Sequence, residues 1–308
     1  MSTTEAARRT DRRLPGQRFL DPSPHACALG LWLLSLVLFR QSLVGLARLS
    51  FQDQRSSHLL LIPLISACFL FVQRKPVFQS PRWCPSIGLF LILVAAVSWY
   101  ALRATLSRLN GTDRLSGAAT LIVLVWIAVF ILCYGMASFK AAAFPLLFLL
   151  LMIPLPVAFA DKVVSLLQKG SAETCYALFR LVGIPFVRHG FLFSLPGVDI
   201  EVAEQCSGIH SALSLFIAGL LLQHVSLKGV GKKIFFVLCI VPIAIFKNAL
   251  RIVTIAWLGI HVNADFFHGQ LHKRGGLPFA ALAMVMLGIL LWLLRRSQLN
   301  PGLTGTET

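Results

Sequence analysis

Apolar residues come in long runs along this chain, and polar residues mostly interrupt them. The first run extends from about His25 to Ala47, broken by Arg40, and others follow at roughly 58–73, 84–102, 117–139, 141–160, 207–225, 233–258 and 277–294. Pro154 and Pro156 are expected to close the fifth. Most runs approach the length of helix that crosses a bilayer. The pattern predicts an all-α polytopic membrane protein with about eight transmembrane helices. No small-x-small cleavage site follows the first run, and many spans come after it, so it reads as an uncleaved helix rather than a signal peptide.

Residues 161–206 break the pattern. Leu166, Leu167, Cys175, Leu178, Phe179 and Val182 recur at roughly helical spacing among charges, which predicts an amphipathic helix at the membrane interface. The stretch FLFSLPGVDIEVAEQC then alternates and turns through Pro196-Gly197, as a small hairpin does.

Composition agrees with lipid as the solvent. Hydrophobic residues make up 57% of the 308 residues and charged residues only 13%, against about 25% charged in soluble domains. The mean hydropathy is +0.79. The net charge of +16 sits mainly between apolar runs, so it points to anionic lipid and not to nucleic acid. The seven cysteines (Cys27, Cys68, Cys84, Cys133, Cys175, Cys206 and Cys239) are irregularly spaced, which argues against a disulfide framework or zinc knuckle.

Charge also orients the helices. Arg8, Arg9, Arg12, Arg13 and Arg18 precede the first run, and short basic stretches at Arg74–Arg82 and Lys228–Lys233 follow the second and sixth. The positive-inside rule then places both termini in the cytoplasm. The expected organisation is a basic cytoplasmic tail at 1–24, one transmembrane domain at 25–296 with a non-cytoplasmic segment at 161–206, and a cytoplasmic tail at 297–308.

Ionisable residues inside apolar runs are costly and mark function. In the seventh run, Asn248 and Arg251 share a helix face, with Lys247 beside them. Arg251 falls about 27 Å along from Lys233, near the non-cytoplasmic end. Cys206 opens the sixth run on that side, flanked by Glu201, Glu204, Gln205 and Ser207, and Gly208 permits close backbone approach. A helix N-terminus and a nearby guanidinium both favour thiolate. The last external loop carries His261, His268 and His272. Histidine titrates near neutrality and can act as general base. His268 and His272 stand four apart but without an H-E-x-x-H motif, so no metal or cofactor is expected. Cys206, Arg251 and a histidine thus meet at one membrane face as nucleophile, oxyanion partner and base.

At these residues the sequence resembles the exosortase/archaeosortase family of membrane transpeptidases. The carrying motifs are EQCSGIHS at 204–211, NALRI at 248–252 and HKRGG at 272–276, with SHLLLIPLIS at 57–66 and FPLLFLLLMIPLP at 144–156. The resemblance implies Cys206 as nucleophile, Arg251 as the family's arginine and His272, with Gly276 four residues on, as the third member in the bacterial exosortase form. Glu204, Ser207, Gly208 and Asn248 would support them, and His268 is the alternative base. It further implies a multi-pass protein of the bacterial inner membrane with a periplasmic site. Its substrates would be exported proteins whose C-terminal sorting signal combines a Pro-Glu-Pro-like motif, a transmembrane helix and an Arg-rich tail. They would be handed to an envelope acceptor in polysaccharide-producing cells. The alternatives are a transporter using Lys247 and Arg251 as an anion site, or a non-catalytic scaffold for exopolysaccharide export. Neither an inverted repeat nor matched Gly/Pro-broken spans favour the transporter.

Overall fold

The computed structural model describes residues 23–79, 83–106, 109–202, 209–262 and 276–299. Each of the eight apolar runs lies largely on helix. Four helices are long and apolar enough to cross a membrane alone, and up to six spans result if two bent helix pairs each count as one. The second and third runs form shorter apolar helices, Leu61–Val72 and Pro85–Ala101. The described helices therefore give four to six candidate spans where the hydropathy pattern suggests about eight. The chain divides into two compact units, residues 1–52 with 59–154, and residues 53–58 with 155–308.

The first unit contains α1 (Pro24–Leu38), α2 (Arg40–Gln52), α3 (Leu61–Val72), α4 (Arg74–Val77), α5 (Pro85–Leu106), α6 (Gly111–Ala141) and α7 (Ala143–Phe148), the last continued by a 3-10 turn to Met152. The first apolar run is not one straight span: α1 and α2 meet at Phe39 with a bend of 73°. α6 is the spine of the unit. Its apolar residues face inward over almost the whole circumference, as a fully enclosed helix requires. Gly135, at φ 82° and ψ 175°, breaks its helical path. A break leaves carbonyls of the preceding turn in need of donors, and the Cys84 N–H donates to the Leu132 carbonyl at 3.2 Å. This contact brings α5 so close that a Cβ at Gly88 would lie 2.6–2.9 Å from Leu132, backbone included. Only glycine fits there.

The second unit contains α8 (Val157–Val182), the strands β1 (Val187–His189), β2 (Leu192–Leu195) and β3 (Val198–Glu201), then α9 (Ile209–Ser226), α10 (Val230–His261) and α11 (Gly276–Leu299). Pro156 caps α8 instead of ending the fifth run for good, because proline suits a helix start as well as a stop. α8 stops at Gly183, whose φ of 75° makes the left-handed turn. The strands form an antiparallel meander in the order β1-β2-β3. β2 and β3 are the hairpin expected around Pro196-Gly197, with Leu195 opposite Val198. β1 was not foreseen, since three residues are too few to show a period. One face of the sheet is sealed onto helices: Phe193 and Leu195 pack with Cys175 and Phe179 of α8 and with Ala249 and Val253 of α10.

Candidate functional site

The polar centre of the second unit is built on α10. Lys247 and Asn248 are 5% and 2% exposed, in the middle of a largely apolar helix. Polar groups buried this deeply require partners, and both have them. The Asn248 amide donates to the Ser171 hydroxyl of α8 at 3.0 Å. The Lys247 ammonium donates to the Ser211 hydroxyl, in the first turn of α9. Arg251 follows one turn after Lys247 and is half-buried. α10 runs to His261, so Arg251 lies about 15 Å short of the helix end, deeper than the expected span of 233–258 implied.

α8 supplies the facing stripe. Gln168, Ser171 and Cys175 stand three and four residues apart, and all are buried. Gln168 donates to the Val202 carbonyl at 2.7 Å, which ties down the chain just after β3. The Cys175 thiol faces the Ala249 carbonyl at 3.8 Å. With no exposed surface, it serves packing between α8 and α10. Small residues let these helices approach: a Cβ at Gly170 would meet the end of the Ile245 side chain of α10, and one at Gly219 of α9 would meet that of Ile240.

These contacts fix the two flanks of a segment of interest. Residues 203–208, with Glu204, Cys206, Ser207 and Gly208, lie outside the described residues, as do His268 and His272. The chain before that segment is held at Val202, and the chain after it at Ser211. The first anchor is on α8, which also holds the Ser171 partner of Asn248, and the second is on α10, beside Asn248 itself. Of the sequence-derived candidates, Asn248 and Arg251 are thus placed on one helix, and Gly276 opens α11.

Three contributors escaped the first list of site residues: Ser171, Gln168 and Ser211. Ser211 closes the EQCSGIHS stretch, but a hydroxyl at a helix start gives no sign of its partner. Lys247 carried a stronger signal, being a charge within an apolar run. On the sheet, Arg188 of β1 pairs with Glu173 of α8 at 2.6 Å, and its guanidinium lies over the Tyr176 and Phe193 rings. The hydrogen bond to Glu173 pushes the Arg188 pKa further up, so it stays charged throughout the physiological range. This pairing is structural. It locks the meander to α8, and it occupies an arginine that otherwise would offer itself to an acidic ligand.

Among the described residues no cluster of three or more His, Cys, Asp or Glu is arranged to hold a metal.

Residues 46–289 match the family described as transmembrane exosortase. The matched region includes parts of both units and every motif from Ser57 to Gly276. Neither a curated protein nor a solved structure matches the chain.

Proposed function

The chain belongs to the transmembrane exosortase family, and from that membership we propose that it is a membrane cysteine peptidase and transpeptidase acting on C-terminal sorting signals. The supporting observation is that the match spans 46–289 and so contains Cys206, Arg251 and His272 in order. The substrates are exported proteins that carry a Pro-Glu-Pro-like motif, a transmembrane helix and an Arg-rich tail. The enzyme works in the bacterial inner membrane, with residues 25–296 as its transmembrane domain and its site on the periplasmic face.

The thiolate of Cys206 attacks the carbonyl carbon of the scissile peptide bond, forming a C–S bond and a tetrahedral oxyanion. Arg251 stabilises that oxyanion; a fixed guanidinium in a site poor in water serves far better than one in bulk solvent. His272 takes the thiol proton and returns it to the leaving amine as the C–N bond breaks. The transmembrane tail departs with that amine. A nucleophile of the envelope acceptor, or water, then attacks the thioester carbonyl as His272 takes its proton, and the C–S bond breaks to release the thiolate. Asn248 holds the α10 backbone against α8, so Arg251 one turn away keeps its place. Glu204 is the other candidate for orienting Arg251, Gly208 allows close backbone approach, and Ser207 and Gly276 are supporting residues.

Cys206→Ala is the test. Substrate should accumulate with its tail attached while enzyme abundance is unchanged, read by immunoblot of a tagged substrate. Normal processing in that variant would overturn the nucleophile assignment and favour the scaffold reading. Loss in His268→Ala with activity retained in His272→Ala would move the base to His268.

A further inference from the structure

The first unit holds a cavity that the proposed chemistry does not use. It has a volume of about 620 Å³ and runs along α2 from Gln41 to Gln52, against Trp99 of α5 and the first two turns of α6. Pockets of this size hold small molecules or a headgroup. Its polar wall carries Arg48, Arg114, Gln41 and Gln52. Its apolar wall is formed by Trp99, Leu115 and Ala118. Among the described residues no acidic side chain lines it.

Depth identifies the environment. From Gly111 to the break at Gly135 α6 rises about 36 Å, more than the roughly 30 Å of a hydrocarbon core. Its first turn therefore stands at headgroup level. Trp99, in its wall, and the next residue, Tyr100, are both exposed, and such amphipathic rings favour the interface. Below them, Leu93 and Val97 of α5 are exposed and suit acyl chains. Two arginines without an acidic neighbour in the wall suit a phosphate, which guanidinium groups grip through paired hydrogen bonds.

We propose that this cavity is a binding site for one anionic phospholipid, with the phosphate between Arg48 and Arg114 and an acyl chain leaving along Trp99. The site is separate in its residues from the thiol chemistry, so its test needs no turnover.

The full-length protein in a neutral detergent would be titrated with phosphatidylglycerol, with diacylglycerol lacking phosphate, and with inorganic phosphate. Native mass spectrometry counts bound lipid, and thermal unfolding reports stabilisation. Phosphatidylglycerol should give a one-lipid adduct and raise the unfolding midpoint, and the other two should not. The pair Arg48→Gln and Arg114→Gln should weaken the lipid by about a hundredfold, tenfold for each lost charged hydrogen-bonding group. Arg48→Lys with Arg114→Lys keeps both charges and guards against a fold defect; it should weaken binding by an intermediate factor. Undiminished binding in both pairs would overturn the site. Equal binding of diacylglycerol would reduce it to an apolar groove, and arginine-dependent protection by inorganic phosphate without a lipid adduct would overturn the lipid assignment.

Discussion

The two longest helices, α6 and α10, are nearly equal in length, at 31 and 32 residues, and opposite in design. α6 keeps its charges, Asp113, Arg114 and Lys140, near its ends and fills its unit with aliphatic and aromatic side chains. Its buried hydroxyls bond locally or to nearby backbone, as Ser116 does to the Thr112 and Pro154 carbonyls. α10 exposes Phe235, Leu238 and Trp257 outward and turns Lys247 and Asn248 inward. A packed apolar helix tolerates small losses of volume in proportion to the atoms lost. A helix with buried polar partners fails more abruptly, because removing one leaves the other unsatisfied. α6 is built to hold shape. α10 keeps groups that cost stability, which is the usual mark of a functional helix in a membrane.

The largest effect expected from breaking that contrast is on catalysis. Arg251→Ala should reduce processing of a sorting-signal substrate by about 10²–10³-fold, the typical loss on removing an oxyanion donor. Arg251→Lys should fall nearly as far, since the planar fork is lost. Full activity in either variant would show that α10 contributes structure alone. Charge changes near the end of α6, such as Lys140→Gln, should leave processing near normal.

A smaller effect is expected on folding. Asn248→Leu removes the donor to Ser171 and should destabilise the protein by about 1–3 kcal/mol, measured by thermal unfolding in detergent. Ile122→Val in α6 also loses buried atoms but strands no polar group, so about 0.5–1.5 kcal/mol is expected. Equal losses would mean that the Asn248–Ser171 bond adds nothing.

The smallest comparison concerns glycines. Gly88→Ala drives a Cβ into the Leu132 backbone and should cost about 1–3 kcal/mol. Gly170→Ala meets chiefly the mobile end of Ile245, which can turn aside, so its cost should lie at or below the lower end of that range. A reversed order would show that α5 and α6 have room to separate.

Much of this was legible beforehand because hydropathy and turn chemistry are local. The eight apolar runs marked helices, Pro196-Gly197 marked the hairpin, and the Asn248–Arg251 spacing marked a shared face. The break at Phe39 was not legible: no proline or glycine stands there, and the bend is a matter of how α1 and α2 each pack. Span count also exceeds what a run of letters settles, since a bent pair and a straight helix can have the same hydropathy. The partners of the site residues were hidden for a related reason. Ser171 and Asn248 are 77 residues apart, and Lys247 and Ser211 are 36 apart. No period in a sequence reports such a meeting.

By itself, then, the sequence determined the solvent, the helical class, the order of the Cys, Arg and His motifs, and the intramembrane charges that require an explanation. These follow from transfer energies and spacing that each segment carries alone. Tertiary structure decided which polar groups are satisfied. It sealed Cys175 into a helix contact, gave Asn248 and Lys247 their hydroxyl partners, and held both flanks of residues 203–208. Burial without a partner is prohibitive in lipid, and a partner exists only once the helices have packed.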